Sequence, residues 1–125
     1  MPYGFADDKW EQAKAQAKGI IIARAKLRGM IPYSEMLAGV SAIELEPGDH
    51  RLSPFLEEIS LAEAEANRPM LTAIVVHKSG DMQPGPGFFE LAERLGRDTS
   101  DLLRCWIEEA KLVHAFWEKQ KKPAG

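Results

Sequence analysis

The chain has 125 residues, 45% of them hydrophobic and 28% charged, the size and balance of one ordinary globular domain spanning residues 1–125. Its net charge of −3 gives no global attraction for nucleic acid, and its one cysteine, Cys105, can close no internal disulfide, which fits a reducing, cytoplasmic compartment. No leader pattern opens the sequence, and the longest purely apolar run, Ile20–Ala23, is too short to cross a bilayer, so no membrane partner is expected.

In chain order, the first predicted helix covers residues 8–28. Asp7 or Asp8 is placed to cap it, with Glu11 at capping-box spacing from Asp8, and Gly29 is placed to end it. Trp10, Ala13, Ala17, Ile20, Ile21, Arg24 and Leu27 repeat with the helical period. Pro32 makes Met30–Tyr33 extended, and Ser34 then caps a short helix, 34–39, closed by Gly39. Ser53-Pro54 opens a helix over 53–66 with Phe55, Leu56 and Ile59 inward. Ser60 with Glu63 reads as a second capping box that starts a short acidic turn within it. Met70–His77, with Ile74-Val75-Val76 at its centre, is the one convincing strand.

Gly80–Gly87 holds three glycines and two prolines and reads as a loop. Phe88-Phe89 is expected to pair briefly with the strand before a helix over 88–95 that Gly96 closes. Asp98 or Thr99 caps a last helix, 99–120, whose inward stripe is Leu103, Trp106, Ile107, Ala110, Val113, His114 and Trp117. The order predicts an α+β fold: a winged-helix-like domain with a small two- or three-stranded sheet and added C-terminal helices.

Part of the sequence is similar to a known family. Ile31-Pro32-Tyr33-Ser34-Glu35-Met36-Leu37 is followed by an amphipathic helix and by Arg68-Pro69-Met70-Leu71, which leads a β run into His77-Lys78. Gly80 and Gly85-Pro86-Gly87-Phe88 come next. This layout, over about residues 20–90, resembles the C-terminal winged-helix domain of methylated-DNA–cysteine alkyltransferases and the alkyltransferase-like proteins. The resemblance implies a winged-helix fold. It does not carry alkyl transfer, because the family's nucleophilic cysteine falls near Val75 or Val76 here. Where the family's recognition helix carries an arginine and small residues, this one carries Glu57, Glu58, Glu63 and Glu65, which would repel a phosphate backbone.

Charge is split along the chain. Lys9–Arg28 holds six basic residues and one acid; Glu35–Glu65 holds eight acids and one base. The reading is a non-catalytic module with weak, non-specific affinity for duplex DNA, carried by Lys14, Lys18, Arg24, Lys26, Arg28, Arg51 and Lys78. The alternative is a protein-interaction module whose acidic helix docks a basic partner. A third reading places a small ligand or catalytic site at His77, Asp81 and the Gly85 and Gly87 loop, and it requires a concave pocket beside His77. The bland readings are a solvated strand end for His77, Lys78 and Asp81, and a tight turn for the glycines. His50, His77 and His114 lack metal-ligand spacing, so neither a metal nor another cofactor is expected. The chain is expected to be a monomer or a homodimer, with Trp117 the candidate dimer contact.

Overall fold

A computed structural model of the chain describes residues 2–77 and 83–120. After a single 3-10 turn, Pro2–Gly4, come helix α1 (Asp7–Lys26), strand β1 (Ile31–Pro32), helix α2 (Tyr33–Ala38) and helix α3 (Leu52–Glu65). A second 3-10 turn, Leu71–Ile74, leads into strand β2 (Val75–Val76), and helices α4 (Pro86–Arg94) and α5 (Leu102–Lys119) follow. The architecture is α+β, mostly helical, with one two-stranded sheet. Its strands run parallel, Ile31 opposite Val75 and Pro32 opposite Val76. Parallel strands need a crossover, and α2 and α3 provide it.

The core forms where α1, α3 and α5 close on the Leu71–Ile74 turn. Trp10, Ile21, Phe55, Met70, Leu71, Ile74, Val75, Val76 and Val113 are all under 2% exposed. The helical period holds in part: Trp10, Ala13, Ala17, Ile21 and Ala25 are the buried face of α1, Ile20 and Arg24 flank it, and Leu27, past the helix end, is 69% exposed.

The predicted Met70–His77 strand is corrected to two residues of β structure after a 3-10 turn. The reason lies in side chains from neighbouring helices, which satisfy the backbone in place of a sheet. Met70 N donates to Glu109 Oε2 (2.8 Å), Thr72 N donates to Ser60 Oγ (3.1 Å), and Ala73 O accepts from Trp106 Nε1 (2.8 Å). With those groups paired, a ladder has nothing left to bind there.

The second capping box is also corrected. α3 runs unbroken through Ser60 and Glu63, and both are fully buried. It ends in a left-handed Asn67 (φ 62°), with Arg68 N donating back to Glu63 O. Phe88 and Phe89 lie in the first turn of α4 and pair with no strand. Helix starts shift by a residue or two. α1 begins after Ala6, which puts Asp7 and Asp8 in its first turn. α2 begins after Pro32, and α3 begins at Leu52. α1 ends before Gly29, with Arg28 taking the left-handed conformation (φ 57°), whereas Gly96 closes α4 at φ 85° as its lack of a Cβ allows.

The last helix is capped by Asp101, not Asp98 or Thr99: Asp101 Oδ1 accepts from Arg104 N at 3.1 Å. Asp101→Ala should cost about 1 kcal/mol in thermal or urea unfolding, and Asp98→Ala clearly less. The inward stripe of α5 is likewise corrected. Cys105, Glu109, Ala110 and Val113 are buried, while Leu103 (50%) and Ile107 (39%) stand in solvent. Cys105 is free and buried, and burial, then the nearby Glu109 charge, pushes its thiol pKa up, so it is a poor nucleophile.

Candidate functional site

Because β1 and β2 are parallel and in register, the residues that follow them emerge side by side. Those residues are Tyr33 and His77. Their rings meet edge to face, centroids 4.9 Å apart. His77 N donates to Gln83 O (3.1 Å), which returns the chain to the strand ends, and Gly85 N then donates to Tyr33 Oη (2.7 Å). A Cβ on Gly85 would stand 3.2 Å from Tyr33 Oη and 3.8 Å from His77 Nε2, so the loop passes close over both rings. Burial, opposed by the Gly85 bond, raises the Tyr33 pKa, so the hydroxyl keeps its proton and remains a donor.

The first turns of α3 and α4 converge on the same place. A Cβ on Gly87 would lie 2.6 Å from Ser53 Oγ, a spacing only glycine permits with Ser53 as it stands. Together these parts enclose a cleft of about 190 Å³. Leu52, Leu56, Pro84, Phe88 and Leu91 give it apolar walls; Tyr33, Ser53, Thr72, His77, Asp49 and Glu57 give it polar ones. No lysine or arginine lines it among the described residues, and both acids are matched from behind. Asp49 pairs with Arg51 (2.7 Å) and Glu57 with Arg94. Hydrogen bonds from the Arg51 side chain and backbone hold the Asp49 carboxyl down at about 2.

Of the expected polar site, His77, Gly85 and Gly87 come together at this cleft. Asp81 and Lys78 lie outside the described residues. Tyr33, Ser53 and Thr72 were not singled out from sequence. The available signal was two proline-containing helix starts, Ser53-Pro54 and Gly85-Pro86-Gly87, which could have been read as meeting.

The expected cationic face is not a free surface. Lys14 bonds Glu11 and Glu58 at 2.8 Å each, and their pull outweighs the burial that would lower its pKa and raises it instead. Lys18 bonds the buried Glu63 (2.7 Å). Arg24 donates to Met30 O (2.6 Å) and to Glu35, and Arg28 pairs with Glu118 (3.2 Å). Arg51 grips Asp49, donates to Tyr3 O and stacks over Phe5 at 4.6 Å. Only Lys26 of the named cations is without an ion pair among the described residues.

Three of the four acids of α3 are engaged in the same way, Glu65 being exposed. Glu57, Glu58 and Glu63 all face cations from other elements. Among the described residues no group of histidine, cysteine, aspartate and glutamate could hold a metal ion, and no helix is long and apolar enough to cross a membrane. Comparison with known proteins finds no family model, no curated protein and no solved structure that matches the chain.

Proposed function

We propose that the domain binds a small ligand in the Tyr33–His77 cleft, a ligand with a flat apolar body and one hydrogen-bond acceptor. The observation that carries this is the convergence of four elements on one concave space at the C-terminal ends of parallel strands. That is where open parallel sheets usually hold ligands. Tyr33 O–H and Ser53 O–H are the side-chain donors, and the first turns of α3 and α4 add the positive ends of two helix dipoles. The volume of about 190 Å³ lies below the roughly 300 Å³ at which drug-sized pockets begin, so the ligand is small. His77 is in reach of it, but among the described residues no serine or cysteine is paired with His77, and binding rather than catalysis is the function proposed.

The test is an amide-shift titration with benzamide, benzoate and benzylamine. Benzamide or benzoate should move the Gly85 and Gly87 resonances, and benzylamine, which offers no acceptor, should not. Tyr33→Phe should weaken binding roughly two- to tenfold, the worth of one hydrogen bond of about 0.5–1.5 kcal/mol. Ser53→Trp should fill the cleft and abolish binding. Silence at Gly85 and Gly87 with all three probes would remove the proposal.

The other two readings have less support. Weak, non-specific binding of duplex DNA rested on a basic set of which Lys14, Lys18, Arg24, Arg28 and Arg51 are engaged within the chain. Lys18→Glu would set a second carboxylate beside Glu63 and would report on folding before it reported on DNA. Docking of a basic partner by α3 rested on four acids, of which Glu57, Glu58 and Glu63 are already paired. A winged-helix relationship is supported by the order α1, β1, α2, α3, β2. It is not supported by the strands themselves, which are parallel, whereas a wing is an antiparallel hairpin.

A further inference from the structure

A second concave surface is formed by other residues and has the opposite electrostatics. α5 carries Leu112, Ala115, Phe116 and Lys119 at i, i+3, i+4 and i+7, one face of the helix, which flanks the buried stripe of Cys105, Glu109 and Val113. Leu112 is 55% exposed. The turn Asn67-Arg68-Pro69 borders this face, and Arg97 from the α4–α5 loop completes an open groove of about 490 Å³.

Its charge can be counted. Glu63 is ionised, because Arg68 and Lys18 together outweigh the burial that would raise its pKa and lower it. Glu63 therefore cancels one of its two cations, and the Lys18–Glu63–Arg68 cluster keeps one positive charge. Arg97 and Glu109 balance (3.2 Å), and Lys119 has no ion-pair partner among the described residues. The groove and the ion pairs behind it thus carry about two net positive charges, one from Lys119 and one from the cluster that Lys18 of α1 shares, with no carboxylate among the lining residues, on a chain whose net charge is −3.

The arginines are also held for use. Arg68 bonds Glu63 through Nε (2.5 Å) and Nη2 (3.2 Å), which leaves Nη1 unbonded and the guanidinium fixed from behind. Arg97 is fixed similarly by Glu109 and by Leu95 O. A pre-ordered guanidinium loses little entropy on meeting a carboxylate.

We infer that this groove docks an acidic segment of a partner protein. An apolar side chain of that segment seats on Leu112 and Phe116, and its carboxylates meet Arg68, Arg97 and Lys119. The surface combines an apolar helix stripe with a cationic rim, which a free anion would use only in part. A second copy of this chain is disfavoured, because two identical cationic rims would face each other.

The probe is a fluorescein-labelled, amidated peptide of leucine, phenylalanine and glutamate, with a control in which every glutamate is glutamine. The glutamate peptide should bind and the control should bind at least tenfold more weakly. Binding should also weaken as salt rises. Leu112→Ser and Lys119→Glu are surface changes that leave Glu63 and Glu109 paired, and each should weaken binding several-fold with an unchanged unfolding midpoint. Amide shifts should centre on Arg68, Leu112 and Phe116 and leave Gly85 and Gly87 unmoved. Equal binding of both peptides, indifference to both variants, the same shifts with sulfate alone, or a dimer that Leu112→Ser dissolves would each overturn the proposal.

Discussion

Replacing Lys18 and Arg68 together by methionine should destabilise the protein by about 3–5 kcal/mol, seen as a lower urea midpoint at neutral pH. The two substitutions leave Glu63, at 0% exposure, without either of its ion-pair partners. Glu63→Met alone should cost clearly less. It strands two cations instead, but Lys18 is 37% exposed and Arg68 30%, so both can turn their charge to water. Methionine at all three positions should return close to wild type, since an apolar replacement of a buried ion cluster is often neutral. A double variant as stable as Glu63→Met would mean that Glu63 reaches solvent and the cluster is no more than a surface one.

The pH dependence has a defined sign. The folded-state pKa of Glu63 lies below its ordinary 4.5, burial being outweighed by Arg68 and Lys18. A depressed carboxyl contributes stability above its unfolded pKa and loses it as pH falls through the folded value. Asp49 and Asp98 are depressed as well and act in the same direction. Wild type should therefore weaken on acidification below about pH 4.5. In the double variant the Glu63 carboxyl is buried without a cation, and it is stabilised by taking a proton. The difference between the two proteins should shrink as pH falls.

Local rules located the helices to within three residues, because apolar period and flanking prolines and glycines depend on neighbours in sequence. Of the residues in the ligand reading, His77, Gly85 and Gly87 line one cleft. What failed depended on distant partners. Ser60 and Glu63 have capping-box spacing, but spacing alone does not separate a helix start from two inward polar groups, one meeting Thr72 and the other Lys18 and Arg68. The basic face of α1 looked free because Glu58, Glu63 and Glu118 are far along the chain. Leu103 and Ile107 continue an apolar pattern on α5 on a side where nothing packs. Leu71–Ile74 is mostly apolar and holds the β-branched Thr72 and Ile74, yet strand propensity only describes a surface that fits a sheet, and here helices supply the neighbours.

Trp106 tests that last point most directly, because it is the side chain that holds the 3-10 turn in place of a strand. Trp106→Ala should cost about 3 kcal/mol, at the low end for a tryptophan because the ring is only partly buried against the core. Trp106→Phe keeps most of the packing and removes the Nε1 bond to Ala73 O, leaving the carbonyl of a fully buried residue without that donor. It should cost roughly 1–3 kcal/mol. The two variants should also differ locally. Ala73 lies two residues before β2 and four before His77, so loosening its carbonyl should speed amide exchange at Val75 and Val76 in the phenylalanine variant, beyond what its global stability loss explains. The same variant should bind benzamide more weakly, since Tyr33 and His77 are set side by side by the register of Ile31 with Val75. If Trp106→Phe is indistinguishable from wild type in midpoint and in Val75 exchange, the indole bond does not hold the turn. The correction from strand to 3-10 turn would then need another cause.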